Sequence, residues 1–465
     1  MHIKKLPMDL ETPVSAFYKL APMEPLFLLE SVDGGELIGR YSFIGLRALY
    51  RIDIQESKIT IRHRQTASEI EYGESPFPAL RNITTGLQNK FFVEEEDGVE
   101  QLPRLKGGLV GLCSYDLIRH IEKLPDTAKD TTELPLGIFY VPEIILAFDN
   151  MQKDIKVITF GTEEDAKHIM QEIKTLFNKN ISINNNGTFS SPVANHETRK
   201  FYDMVNRARE YILSGDAYQI VLSLKFKGEA TVNPFQVYRA LRMINPSPYM
   251  YYLNFGDMQI VGSSPEVLVR VEDNEIMERP IAGTRRRGKN KAEDMLLAQE
   301  LLMNEKEKAE HIMLVDLARN DIGRIAIPST ESVKELMKIE KFSHVMHMVS
   351  MVTGKLSNEH DIFDVFKATF PAGTVTGAPK IRAMEIIEEL EEEKRGPYAG
   401  SVGYFAFNNT MDQAINIRSI LFAKDTYTIQ AGAGILADSV PEKEYEEITN
   451  KAKALFSAME LSKEL

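Results

Sequence analysis

The chain has 465 residues, 55 Lys and Arg against 68 Asp and Glu, a formal charge of −13, one cysteine (Cys113) and no tryptophan. At 43% apolar and 26% charged it has an ordinary globular composition, sized for one large α/β body or two to three smaller units. The lone cysteine excludes a disulfide scaffold and cysteine-built metal clusters, the acidic balance argues against nucleic acid or an anionic membrane as main partner, and the lack of a long apolar run or signal-peptide core predicts a cytoplasmic protein.

From the N-terminus the signals are strand-like. Residues 51–62, RIDIQESKITIR, alternate Ile52/Ile54 and Ile59/Ile61 about a polar turn and predict a hairpin. Residues 66–78 and 93–101 read as mobile loops, and a helix is predicted over 163–178. The stretch 178–195, NKNISINNNGTFSSPVAN, is rich in Asn and Ser without apolar periodicity. It reads as a linker that divides the chain into a region 1–180, a connection 181–195 and a region 196–465. A helix over 197–214 then places Phe201, Val205, Ala208 and Ile212 on one face, with Gly215 as its stop. Strands are predicted over 219–226, 249–255 and 258–261, the last two turning at Gly256-Asp257, and over 267–271 and 275–278. Helices follow over 291–318, 362–369, 380–394 and 441–459, with strands 402–407, 414–422 and 426–432 between the last two. This order predicts an α+β (layered α/β) fold with mostly antiparallel sheets.

Two of these helices carry acidic pairs at i, i+3. Glu307 and Glu310 share a face where the segment NEKEKAEHIMLVDLA passes from charged to apolar. In DSVPEKEYEEITNKAKAL, Ser439 and Glu442 read as a capping box with Pro441 at the first helical position, and Glu444 and Glu447 flank the buried stripe. Carboxylates at a core boundary suit Mg²⁺, but spacing alone favours reading them as solvated faces; the run 388–393 is read as a solvated face. Three glycine-bearing loops, residues 280–288 (PIAGTRRRG), 371–379 (PAGTVTGAP) and 431–434 (AGAG), could bring backbone N–H groups close to an anion. None matches a nucleotide-binding pattern. Arg418, predicted in a strand on the face of Asn416, suits a carboxylate partner. His344 and His347 read as packed or hydrogen-bonded rather than as a metal pair, and Cys113 as a buried small hydrophobe.

PIAGTRRRG, AEHIMLVDLARND, TFPAGTVTGAPKIRAME, RGPYAGSVGYF, AINIRS, AGAGILADSVP and EYEEITNKA, together with FLLESVDGGELIGRYSFIG and NPSPYMYYL near the front, resemble the chorismate-utilising enzymes over nearly the whole chain. Arg286 and Thr376 depart from that family's usual proline and serine. The resemblance implies two facing, mostly antiparallel sheets with helices outside and the active site between them. It implies Mg²⁺ on Glu310 and Glu447, supported by Glu307 and Glu444, and chorismate held by Gly283, Thr284, Tyr398, Arg418, Gly432, Ala433 and Gly434. Glu266 would be the general acid for the leaving hydroxyl, His347 would serve pyruvate loss, and Thr374 would line the ring.

Within the family the nucleophile decides the product. Water-using members carry lysine where this chain has Gln219, and members making 4-amino-4-deoxychorismate carry lysine where it has Ala282. With neither amine, the resemblance implies that external ammonia attacks chorismate to give anthranilate, as in the large subunit of an anthranilate-forming enzyme. Cys113 lacks the setting of an amidotransferase nucleophile, so ammonia is expected from a separate glutamine amidotransferase subunit in a hetero-oligomer. The resemblance further suggests feedback by L-tryptophan at Glu30, Ser31, Pro248, Tyr249 and Met250. The alternatives are the aminodeoxychorismate-forming enzyme and a catalytically silent tryptophan-binding subunit.

Overall fold

The computed structural model describes residues 1–32, 39–63, 66–91, 103–181, 187–342 and 345–465. Antiparallel ladders build two sheets that share their two longest strands, Tyr41–Ile54 and Gly137–Asp149, paired with each other throughout. The halves near Phe43 and Leu146 continue through Pro25–Glu30, Tyr249–Asn254, Met258–Ser264, Ser419–Ala423, Thr426–Ile435 and Gln219–Glu229. The halves near Ile52 and Phe139 continue through Gly108–Cys113, Ser401–Ala406, Met411–Ile415, Val267–Glu272, Glu275–Glu278 and Val345–Lys355. Between the halves the register shifts at Ala48/Tyr50, next to Arg47 at φ 51°. Such a bulge bends a strand and lets it serve both sheets.

Phe27, Phe43 and Tyr251 of the first sheet pack with Val110, Leu112 and Tyr404 of the second in one core. The first sheet's other face buries Leu222, Leu224 and Ile429 against Phe201, Leu241 and Leu455 of the Thr198–Leu213, Pro234–Ile244 and Pro441–Leu461 helices. The second buries Val269 and Phe405 against Val315, Ile322 and Phe366 of the Glu305–Gly323 and Ile362–Thr369 helices. These are the expected facing sheets with helices outside, driven by apolar burial on both faces of each sheet. Strands from both sides of residues 181–195 enter each sheet: Pro25–Glu30 pairs with Tyr249–Asn254, and Gly108–Cys113 with Ser401–Ala406.

Several local expectations are corrected. Residues 66–78 are not a loop: Thr66–Glu71 pairs with Lys58–His63, and a helix starts at Phe77. All six residues of that strand are exposed, so no alternation marks it. All of 93–101 lies outside the described residues, as do 182–186 of the connection, whose Val193–Ala194 pairs with Phe226 and Lys227. The single helix expected over 291–318 is two, Lys291–Met303 and Glu305–Gly323, because Asn304 leaves helical geometry (ψ 108°) and its side chain accepts from Glu307 N at 3.1 Å. The strand expected over 414–422 is broken into Met411–Ile415 and Ser419–Ala423, with Arg418 between them at φ 52°. Gly432 and Gly434 lie in the last four residues of the Thr426–Ile435 strand, not in a loop. The helix expected to run to 394 stops at Leu390. The run 388–393 is not simply solvated: Glu388 is buried and accepts from Thr127 N (2.7 Å) and Ala128 N (2.8 Å), and Glu391 is buried against Arg395. Ser439 forms no capping box; Val440 is the N-cap without a side-chain bond, while Pro441 does open the helix.

Candidate active site

Strands of both sheets and the Pro441–Leu461 helix wall a cavity of about 330 Å³. Gly432 and Gly434 come from the first sheet, Thr284 and His347 from the second, Glu266 and Arg418 from strand junctions, Thr374 and Tyr398 from loops, and Glu447 from the helix. Residues scattered from 266 to 447 thus meet around one space, and Ala282 lines it with a bare methyl group.

Glu266 is buried, which pushes its carboxyl above the ordinary value; the hydrogen bond from Thr374 Oγ1 to its Oε2 (2.8 Å) and the charges of Lys451 and Arg418 pull the other way without prevailing. A carboxyl raised in this way keeps its proton to higher pH than a free one, the direction a proton donor needs. His347 moves in the opposite sense, since burial lowers its imidazole below the usual value. Its Nδ1 lies 3.2 Å from Gly283 O and 3.0 Å from Thr284 Oγ1. A carbonyl can only accept, so Nδ1 carries the proton and Nε2 keeps its lone pair. Arg418 holds a left-handed backbone conformation, strain of the kind found at functional sites. Burial lowers its pKa, while Glu266 and Glu447 favour its charge. Asn416 does not share its role: its Nδ2 donates to Pro397 O (2.7 Å), and its Oδ1 accepts from Tyr251 (2.7 Å).

Two glycines sit at close approaches, against backbone and a tyrosine at Gly432 and against a flexible amide at Gly434. A Cβ on Gly432 would lie 2.5 Å from the Tyr398 hydroxyl, and one on Gly434 would lie 2.5 Å from Gln219 Nε2. Ala433, between them, points the other way into the core of the first sheet and does not line the cavity.

The two acidic helices converge beside this cavity. Burial raises the Glu310 carboxyl, Glu307 and Glu447 add like-charge repulsion, and Gln219 Nε2 donates to Glu310 Oε1 at 2.9 Å. Burial also raises Glu444, with Glu447 adding to it. Each carboxylate has its own partner: Glu307 takes Arg285 (3.0 Å), Glu447 takes Lys451 (2.7 Å) and Glu444 takes Ser439. Among the described residues no three acidic, histidine or cysteine side chains close on one point as metal ligands. Gly283, Glu307, Glu310, Glu444 and Gln219 are not on the cavity wall itself. His344 lies outside the described residues.

Among the cavity residues that escaped the sequence reading are two polar ones, Lys451 and Gln430. Lys451 donates to Gly432 O at 2.9 Å and lines the cavity. Its place four residues after Glu447 on one helix face was the signal. Gln430 shares a strand face with Gly432 and Gly434 by the period of two.

Glu30, Ser31, Pro248, Tyr249 and Met250 meet around a second, smaller cavity. Glu30 is held by the Tyr238 hydroxyl and by Arg242 Nε at 3.0 Å; Tyr249 donates to Asp412 at 2.9 Å. The Ser31 hydroxyl oxygen is buried without a hydrogen-bond partner. Pro248 lines both cavities.

An acid, a neutral imidazole and two cations around one cavity between two antiparallel sheets define an enzyme site for a small anionic substrate. Residues 30–457 match the chorismate binding enzyme family, and the chain belongs to it. Anthranilate synthase component 1 of Acetivibrio thermocellus is 45% identical over 98% of this chain and 94% of its own length. The protein of that name from Aquifex aeolicus is 46% identical over 99% and 94%. The crystal structure of anthranilate synthase component I from Streptococcus pneumoniae superposes with a TM-score of 0.80 at 36% identity, covering 98% of this chain and all of that one.

Proposed function

We infer that the chain is the large subunit of an anthranilate-forming enzyme, converting chorismate and ammonia to anthranilate, pyruvate and water. The observation that carries this reading is the single cavity in which Glu266, His347, Arg418 and Lys451 face one another, in a chain matched end to end by relatives of that name. Arg418 and Lys451, with the Tyr398 hydroxyl and the backbone around Gly432–Gly434, take the enolpyruvyl carboxylate. Glu266, its carboxyl raised by burial and oriented by Thr374, gives its proton to the departing C4 hydroxyl as ammonia attacks C2. His347 Nε2 then takes the C2 proton as pyruvate leaves and the ring becomes aromatic. Gly283 and Thr284 orient His347 and the ring.

The four carboxylates from two helices form an all-oxygen set with mutual repulsion, which suits a hard divalent cation. Mg²⁺ on Glu310 and Glu447, with Glu307 and Glu444 behind, would neutralise the ring carboxylate as the ring reorganises.

Neither Gln219 nor Ala282 offers an amine to activate water or to attack the ring, which supports ammonia itself as the nucleophile. Burial pushes the Cys113 thiol up to about 12, which makes it inert as a nucleophile. The ammonia therefore comes from a partner glutamine amidotransferase subunit. L-tryptophan acts at the second cavity, where the Ser31 hydroxyl awaits a partner and Pro248 gives contact with the catalytic space. In this division residues 1–180 carry Glu30 and Ser31, and residues 196–465 carry the chemistry. With the amidotransferase component added, glutamine should sustain anthranilate formation; without it, only ammonium salts should. Glutamine-dependent turnover by this chain alone would overturn the assignment of the partner.

A further inference from the structure

A buried ion pair stands directly behind the wall of the catalytic cavity. Arg395 is 2% exposed and Glu391 6%. The guanidinium meets the carboxylate in a two-pronged contact, Nε to Oε2 at 2.8 Å and Nη2 to Oε1 at 2.7 Å. Its remaining donors reach Val375 O and Val221 O, both at 2.7 Å. Val375 adjoins Thr374, and Val221 lies on the strand that starts at Gln219; both valines line the cavity. The guanidinium carbon is 5.7 Å from the centre of the Tyr398 ring and 4.9 Å from that of Tyr115. On the far side, Glu391 Oε1 accepts from Ser223 N (2.8 Å) and Ser223 Oγ (2.9 Å), and Ser223 Oγ accepts from Gln430 Nε2 (2.9 Å).

One charged pair therefore fixes wall segments distant in sequence: Tyr398 and the Val221 strand that pairs with Gly434, on the side given above to the enolpyruvyl carboxylate, and the Val375 segment next to Thr374. A buried ion pair is seldom a net source of stability against apolar replacement. Its planar fork, however, fixes geometry as few other groups do. Tyr398 gains a specific effect: a cation against its ring polarises the phenol and strengthens its hydroxyl as a donor.

We propose that Arg395, oriented by Glu391, is a positioning residue for chorismate, holding Tyr398 and the Val221 and Val375 segments in the arrangement that binds the enolpyruvyl carboxylate. This rests on the functional reading above. Arg395 does not touch substrate and acts through the wall.

The test is Arg395→Lys, which keeps the charge and loses the fork, assayed with ammonium salts while chorismate and ammonia are varied separately. The KM for chorismate should rise about tenfold or more, since a wall displaced by about 1 Å costs that order or beyond. The KM for ammonia should stay within about twofold. A fall in kcat alone, with both KM values unchanged, would show a merely structural role and overturn the proposal; so would unaltered kinetics. Ser223→Ala trims the network without uncovering a charge, and guards against a variant that fails to fold. It should raise the chorismate KM several-fold in the same sense, and an unchanged value there counts against the proposal. If the unaltered chain forms no anthranilate, the functional reading fails, and calorimetric binding of chorismate still decides the inference: tenfold weaker binding by Arg395→Lys supports it and equal binding overturns it.

Discussion

In the proposed reaction Glu266 and His347 divide the proton work, and one physical cause acts on them in opposite directions. Burial disfavours charge, so it raises the carboxyl and lowers the imidazole. The acid must be protonated to work, so kcat should fall as pH rises through the elevated Glu266 value. The base must be neutral, so kcat should fall as pH drops through the depressed His347 value. A bell-shaped profile of kcat against pH is expected, and Glu266→Gln should lower kcat by about 10²–10⁴ and remove the alkaline limb. Persistence of that limb in the variant would assign the acid elsewhere. That these side chains belong to one site was readable from motifs, since Glu266, Thr374, Tyr398 and Arg418 sit in short recognisable strings and line one cavity. Lys451 was not picked out, because a lysine on a charged helix looks solvated until Gly432 O is brought to 2.9 Å. Ala433 was assigned to the ligand through its neighbours, yet alternation along a strand sends it to the opposite face.

At the scale of elements, the departures from expectation fall where a side chain interrupts a periodic pattern. Asn304 sits in a run whose apolar spacing continues across it, yet its side chain caps a new helix and sets the position of Glu307 and Glu310. Asn304→Ala should lower stability by about 1 kcal/mol and raise the Mg²⁺ concentration needed for half-maximal activity, as seen by thermal unfolding and a metal titration. The end of the Lys380–Leu390 helix shows a second case. An acidic run suggests solvent until its partners, distant in sequence, are in place. Burial alone would raise Glu393, but hydrogen bonds from Thr131 and Lys225 and the charges of Lys225 and Lys227 outweigh it and bring the carboxyl down to about 2. A depressed carboxyl contributes stability above its unfolded value of 4.5 that is lost as pH falls towards about 2. Lys225→Met, at a buried position, should therefore move the acid-unfolding midpoint to higher pH, measured by circular dichroism. An unmoved midpoint would mean that Lys225 does not hold Glu393.

For the whole molecule, the two shared strands join the sheets; the smaller cavity draws on strands from both sides of residues 181–195, whereas the catalytic cavity is lined by residues that follow them. Composition and pattern identified the layered class, because antiparallel runs followed by helices leave few alternatives. They could not supply the sharing of Tyr41–Ile54 and Gly137–Asp149, which depends on a bulge with no local signature. Composition also offers a clean probe of regulation: with no tryptophan in the chain, the emission of added tryptophan reports binding directly. Tryptophan should bind and inhibit, and Ser31→Leu should abolish both while leaving uninhibited turnover within about twofold. Inhibition that survives in Ser31→Leu would place the effector elsewhere. The central claim concerns what the catalytic cavity makes. Incubated with chorismate, Mg²⁺ and ¹⁵N-labelled ammonium, the purified chain should yield ¹⁵N-anthranilate and pyruvate in equal amounts; accumulation of labelled aminodeoxychorismate, or of unlabelled isochorismate, without anthranilate would contradict it.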